Sequence, residues 1–146
     1  MELRIRRAAS GDFDAISVLY EQLVVEGDPE VSADELRAMY RDLLGRPDHE
    51  IYVAEAGGEV VGTYALVFLP GLTHGARDSA IVEDVVVAPA RRGSGVGRQM
   101  MVDAMERCRA RDCYKLVLSS HLQRDAAHRF YEGLGFRKHG FSFLVS

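Results

Sequence analysis

The stretch Arg91-Arg92-Gly93-Ser94-Gly95-Val96-Gly97-Arg98 follows the apolar run Ile81 to Ala88 and opens a helical pattern beginning near Val96. A strand that turns through glycines into a helix start aims unpaired backbone N–H groups and the positive end of the helix dipole at one point. Glycine permits φ > 0 and close backbone approach, and the flanking arginines supply charge-assisted hydrogen bonds. The segment therefore reads as an anion cradle, with a plain strand-to-helix turn as the competing local reading. Two familiar phosphate loops are excluded by the residues. No lysine follows Gly97, as the nucleotide-hydrolase loop requires. Gly93, Gly95 and Gly97 alternate strictly instead of spacing as Gly-x-Gly-x-x-Gly, and no acidic residue closes a following strand about 20 positions on.

The 146 residues suffice for one domain, 1–146, with a core, and 47% hydrophobic with 27% charged residues is ordinary for a globular protein. No segment approaches the ~20 apolar residues that span a bilayer. Met1 to Ala9 carries Glu and Arg in a strand-like alternation instead of a signal peptide's apolar centre, so a cytoplasmic location without membrane association is expected. A net charge of −4 argues against a nucleic-acid partner, which needs a basic face. Cys108 and Cys113 make no Cys-x-x-Cys and read as free thiols.

Periodicity places the elements. Leu3 to Arg6 alternates as a strand; Ser10 or Asp12 opens a helix with Ile16, Leu19, Tyr20, Leu23 and Val24 on its apolar stripe. Ser32-Ala33-Asp34-Glu35 is a capping-box pattern for a second helix with Leu36, Met39 and Leu43 on one face. Strands at Ile51 to Glu55 and Val60 to Leu69 join at Gly57-Gly58, a hairpin signal. A turn-rich loop, 70–78, precedes the strand Ile81 to Ala88. Val96, Met100, Ala104 and Cys108 give the next helix a buried stripe, with Met100, Met101 and Met105 filling core. Lys115 to Ser119 is a strand, Asp125 caps a helix ending at Gly135, and Phe141 to Val145 reads as a closing strand.

The pattern Arg92-Gly93-x-Gly95-x-Gly97 after Val85-Val86-Val87-Ala88-Pro89 resembles the pyrophosphate loop of the GNAT superfamily of acetyl-CoA-dependent N-acetyltransferases. A second motif, Ala127-His128-Arg129-Phe130-Tyr131-Glu132-Gly133-Leu134-Gly135-Phe136, is similar to that superfamily's late helix and lies in the right order about thirty residues on. The resemblance implies an α/β (α+β) fold with a mixed central sheet of about seven strands, splayed between the fourth and fifth, and four flanking helices. It also implies that acetyl-CoA binds along Val85, Val86 and Val87 by backbone pairing, with its pyrophosphate on Arg92, Gly93, Ser94, Gly95, Val96, Gly97 and Arg98 and with Phe130 beside it. A homodimer is implied as well.

The chemistry of such a site follows independently. An alkylamine with a pKa near 10 costs roughly 4 kcal/mol to deprotonate at pH 7, so a base, or a water chain leading to one, is useful. Attack on the thioester forms an oxyanion that backbone N–H groups can stabilise, and the departing thiolate gains from a proton. Glu83 and Asp84 are the candidate bases, because two carboxylates in an apolar strand are costly without partners. A regular strand sends them to opposite faces, so one faces the acceptor unless a bulge intervenes; Glu83 is favoured because family members often hold a glutamate there. The resemblance makes Tyr131 the thiolate's acid, where helical spacing alone would make it a core-edge tyrosine. Ser119 and Glu83 are candidate substrate contacts. Arg124 stands where many members have asparagine, so it is read as touching a phosphate or an acidic substrate group.

Ile81-Val82-Glu83-Asp84-Val85 with 113–118 resembles glucosamine-6-phosphate N-acetyltransferases, and 125–131 resembles aminoalkylphosphonate N-acetyltransferases. Both act on an amine of an anionic molecule, so the expected reaction is acetyl transfer to a primary amine of a small anionic or polar metabolite. A peptide or protein N-acetyltransferase and a catalytically silent CoA-binding regulatory domain are the alternatives; Tyr131 and the Glu83-Asp84 pair argue against the latter. His74, His121 and His128 fit no zinc spacing, and no metal is expected.

Overall fold

The computed structural model describes residues 2–146. Five strands, β1 (Arg4–Arg7), β2 (His49–Ala56), β3 (Glu59–Leu69), β4 (Ser79–Val87) and β5 (Lys115–Val117), form one sheet in the order β1-β2-β3-β4-β5. The first four are antiparallel neighbours, and β5 joins β4 in parallel. Gly57 and Gly58 turn the β2–β3 hairpin with φ of 58° and 80°, the left-handed pair that a tight hairpin favours.

Four helices cover the sheet: α1 (Phe13–Tyr20), α2 (Ala33–Leu44), α3 (Val96–Ala110) and α4 (Asp125–Gly133). Period-two alternation in β2 sends Ile51 and Val53 to one face, where they meet Phe13 and Ile16 of α1 and Tyr40 of α2. Tyr52 and Ala54 turn to the other face and meet Val96, Met100, Met101 and Ala104 of α3. Both faces of β2 and β3 are thus buried, which is why their sequences read as apolar runs. Polar links fasten the layers. Arg107 of α3 lies 4.0 Å over the Tyr52 ring, Tyr52 stacks on Tyr64, and the Tyr64 hydroxyl donates to Asp103 at 2.6 Å. At the entry to α1, Arg6 grips Asp12 with two bonds of 2.8 and 3.0 Å, and Asp12 also accepts the Ala9 N–H. The cap expected for α2 forms, with Ser32 Oγ accepting the Glu35 N–H at 3.2 Å.

Two expectations are corrected. Among the described residues the sheet has five strands, not about seven. Phe141 to Val145 has strand periodicity but makes no ladder, because a strand exists only where a neighbouring edge pairs with it; Phe141, Phe143, Leu144 and Val145 are 82–94% exposed. The first helix also stops early. After Tyr20 comes a single tight turn, Glu21–Leu23, and Asp28 then accepts the Val25 N–H while donating its own N–H to the Val25 carbonyl. That local turn leaves Val24 in solvent instead of on the helix stripe.

The pairing of the fourth and fifth strands is short. Only Ser79, Ala80 and Ile81 of β4 pair with Lys115, Leu116 and Val117 of β5. From Val82 to Val87 this edge of β4 has no strand beside it among the described residues.

Candidate active site

The glycine segment lies where β4 ends and α3 begins. Gly93 and Gly95 have φ of 77° and 91°, and Gly95 caps α3. No Cβ would clash at either, so glycine is needed there for its φ and not for space. The first helical bond runs from the Gln99 N–H to the Gly95 carbonyl, which leaves the N–H groups of Val96, Gly97 and Arg98 without helical acceptors. The Ser94 hydroxyl bonds the Arg91 carbonyl, and Arg92 bonds Gln22 Oε1. Gln22 in turn donates to the Val87 carbonyl at 3.3 Å, tying the turn after α1 to the end of β4. A cavity of about 550 Å³ adjoins this link, lined by Val18, Leu19, Gln22, Val60, Ala88 and Pro89. Arg98 is directed differently, lining a shallow groove with Leu3, Ile5 and Asp103. These donors and left-handed glycines fit a pyrophosphate.

Phe130 reaches the same place from α4. A Cβ on Gly97 would lie 3.6 Å from the Phe130 ring and 3.7 Å from Val87, ordinary contact distances that place ring, helix start and strand end side by side. Val85 and Val87 turn their side chains into the α3-side cluster, while Val86 is buried and pairs with Thr63. Their backbone, not their side chains, therefore faces the splay.

A bulge lies at the carboxylates. Thr63 pairs with Val86 and Ala65 with Glu83, so Tyr64 alone stands opposite Asp84 and Val85. Asp84 takes φ of 52°, a left-handed conformation rare for non-glycine residues in a strand. The opposite-face rule for Glu83 and Asp84 is therefore void. Glu83 shares a cross-strand row with Ala65 and Ile51, whose side chains meet α1 and α2. Asp84 acts electrostatically on Tyr20 and His49, which belong to that same side. Burial, then the Asp84 charge, pushes the Tyr20 phenol well above its ordinary value, partly offset by hydrogen bonding to Thr63. Burial holds the His49 imidazole below its ordinary range against the opposing pull of Asp84.

Tyr131 is half-buried at the edge of the α3-side cluster, edge-on to Phe130 at 5.2 Å and to Phe136 at 5.9 Å. Burial raises its phenol pKa, and the positive charge of Arg124, at the start of α4, opposes that shift. Ser119 lies beyond the end of β5, exposed on the far side of the splay. The histidines His74 and His128 each have a partner of their own. His74 stacks on Tyr114 at 4.0 Å, and His128 bonds the His121 carbonyl at 2.9 Å.

Three groups near this region escaped the sequence reading. Tyr20 was legible only as an apolar helix position. The His49 Nδ1 and Ser120 Oγ atoms are buried without a hydrogen-bond partner among the described residues, and neither residue sits in a motif that would single it out.

Comparison with known proteins agrees with this geometry. The acetyltransferase (GNAT) family matches residues 16–136. A glucosamine 6-phosphate N-acetyltransferase of Trypanosoma brucei brucei is 38% identical over 90 residues, covering 62% of this chain and 59% of that protein's length. An aminoalkylphosphonate N-acetyltransferase of Salmonella typhimurium is 31% identical over 140 residues, covering 95% of this chain and 88% of that one. A solved structure from Agrobacterium tumefaciens str. C58 superposes with a TM-score of 0.91 at 36% identity, over 98% of this chain and 99% of that one.

Proposed function

Given that the chain belongs to the acetyltransferase (GNAT) family, we propose that it moves the acetyl group of acetyl-CoA to the primary amine of a small anionic or polar metabolite by direct attack. One observation carries this reading. The edge of β4 from Val82 to Val87, which no strand of the described residues pairs and which Gln22 meets only at the Val87 carbonyl, runs from the carboxylate bulge to the glycine cradle, so an acyl donor held by its pyrophosphate would lie along an edge able to hydrogen-bond it. The similarity to enzymes named for amino-sugar phosphates and aminoalkylphosphonates supports an anionic acceptor.

Each residue has a definite task in this reading. The N–H groups at the start of α3, with Arg92, hold the pyrophosphate. Glu83, or Asp84 beside it, takes the ammonium proton directly or through water as the amine attacks, so that the proton leaves without a free amine having to accumulate at neutral pH. Unpaired N–H groups on β4 stabilise the oxyanion that develops on the acetyl oxygen. Tyr131, kept protonated by burial, donates to the departing thiolate. Arg124 and Ser119 flank the acceptor, Arg124 meeting its anionic group.

A screen of amines with acetyl-CoA, read by thiol release, tests this. Glucosamine 6-phosphate and aminoalkylphosphonates should turn over faster than neutral amines, while faster turnover of peptides would move the assignment to peptide N-acetylation. CoA binding without turnover on any amine would make the chain a CoA-binding domain.

A further inference from the structure

We propose that Gln22 is a positioning residue for the acyl donor: its amide presets the Arg92 guanidinium at the glycine turn while leaving the arginine's charge for the donor's pyrophosphate. This role rests on the reading of the glycine turn as the donor's pyrophosphate cradle. Gln22 lies in the tight turn Glu21–Leu23 that follows α1, far in sequence from both of its partners. Its Nε2 donates to the Val87 carbonyl at 3.3 Å, and its Oε1 accepts from Arg92. A carbonyl can only accept and a guanidinium can only donate, so a single orientation of the amide serves both. The end of β4 thus fixes the amide, and the amide fixes the arginine.

An exposed arginine left to itself samples many rotamers, and ordering it on a ligand costs entropy. Gln22 removes part of that cost before the ligand arrives. The two arginines of the loop are held differently. Arg91 lies 4.0 Å from the Glu59 carboxylate, whereas Arg92 forms no ion pair among the described residues and is held by a neutral amide. A carboxylate at position 22 would orient Arg92 as firmly and would oppose an incoming anion. Glutamine orients the guanidinium and leaves it cationic, which is what a phosphate requires.

The arrangement also links the donor's two contact regions. The Val87 carbonyl belongs to the end of the β4 edge, and Arg92 belongs to the cradle, so one side chain sets the spacing between them. Both bonds lie at the surface, where a hydrogen bond exchanged with water adds little to stability.

Isothermal titration calorimetry with CoA, and with ADP, which keeps the pyrophosphate and lacks the pantetheine arm, tests this role. Gln22→Ala should raise Kd for both ligands about 5-fold, the scale of ordering one long side chain on binding. Gln22→Glu should raise it further, although its bond to Arg92 is the stronger one, and its ligand-free melting temperature should be no lower than that of the wild type. A purely structural role cannot lower affinity while sparing stability. In an Arg92→Ala background Gln22→Ala should add less than about twofold. With a turned-over amine, KM for acetyl-CoA should rise while kcat stays within about twofold. Unchanged affinity in both Gln22 variants, with Arg92→Ala weakened, would overturn the role and leave the cradle standing. So would tighter CoA binding by Gln22→Glu, or a full effect of Gln22→Ala in the Arg92→Ala background. A loss seen with CoA and not with ADP would place Gln22 on the β4 edge and overturn its action through Arg92. Unchanged affinity in all three variants would remove the cradle and the role together.

Discussion

Glu83 and Asp84 are consecutive on β4, yet only Glu83 has a partner on β3: it faces Ala65, while Asp84 occupies the bulge at φ 52°. The bulge brings both carboxylates towards the α1 side and makes the choice of base an experimental one. Glu83→Gln should lower kcat by about 10² or more with CoA affinity unchanged. Asp84→Asn should be measured in parallel, since asparagine tolerates the left-handed conformation and isolates the charge. A larger loss for Asp84→Asn would transfer the base to the bulge. Asp84→Val should instead cost about 1–2 kcal/mol of stability in a denaturant titration, because a branched side chain is strained there.

Arg92 and Gly95 separate charge from backbone shape in the cradle. Arg92→Ala should weaken CoA binding by about 1–3 kcal/mol, as for loss of a charge-assisted bond. Gly95→Val should weaken it further, because valine resists the φ of 91° that turns the chain into α3. Isothermal titration calorimetry with CoA checks both, and unchanged affinity in the pair would remove the cradle.

Asp12 should make folding stability depend on acid pH. Its bond with Arg6, first, and the Ala9 N–H hold the carboxyl below its unfolded value of 3.8. A depressed folded pKa stabilises the protein at pH values above the unfolded pKa, and that contribution fades as pH falls below about 4. Thermal melts of the wild type should therefore drop between pH 4 and lower pH more steeply than those of Asp12→Asn. The variant itself should be less stable at pH 7.

The glycine turn into α3 was legible because its signal is local. A run of alternating glycines with flanking arginines dictates left-handed turns and free N–H groups wherever it ends a strand. The carboxylates were legible as a pair, but their directions depend on how β3 pairs with β4, and nothing in Val82-Glu83-Asp84-Val85 announces which residue is extra. Phe141 to Val145 fails for the same reason: its alternation specifies a strand, and no edge within the chain receives it. Tyr20 and His49 come within reach of the Asp84 charge only through the fold, with Tyr20 hidden in an ordinary helix stripe.

Tyr131 offers the sharpest test of mechanism. Its ring packs against Phe130 and Phe136, and burial raises its phenol pKa, so the hydroxyl stays protonated through neutral pH and is available to a departing thiolate. Tyr131→Phe keeps the ring and removes only the donor, so acetyl-CoA binding should persist while kcat falls about 10-fold or more. A donor works only while protonated. The wild-type rate should therefore decline at pH values above the ordinary tyrosine pKa of about 10, and that alkaline limb should vanish or move in the variant. A pH–rate profile on a substrate for which chemistry limits turnover measures both effects. Should Tyr131→Phe retain the full rate and the same limb, the tyrosine is a packing residue, and thiolate departure rests on water and the backbone N–H groups of β4.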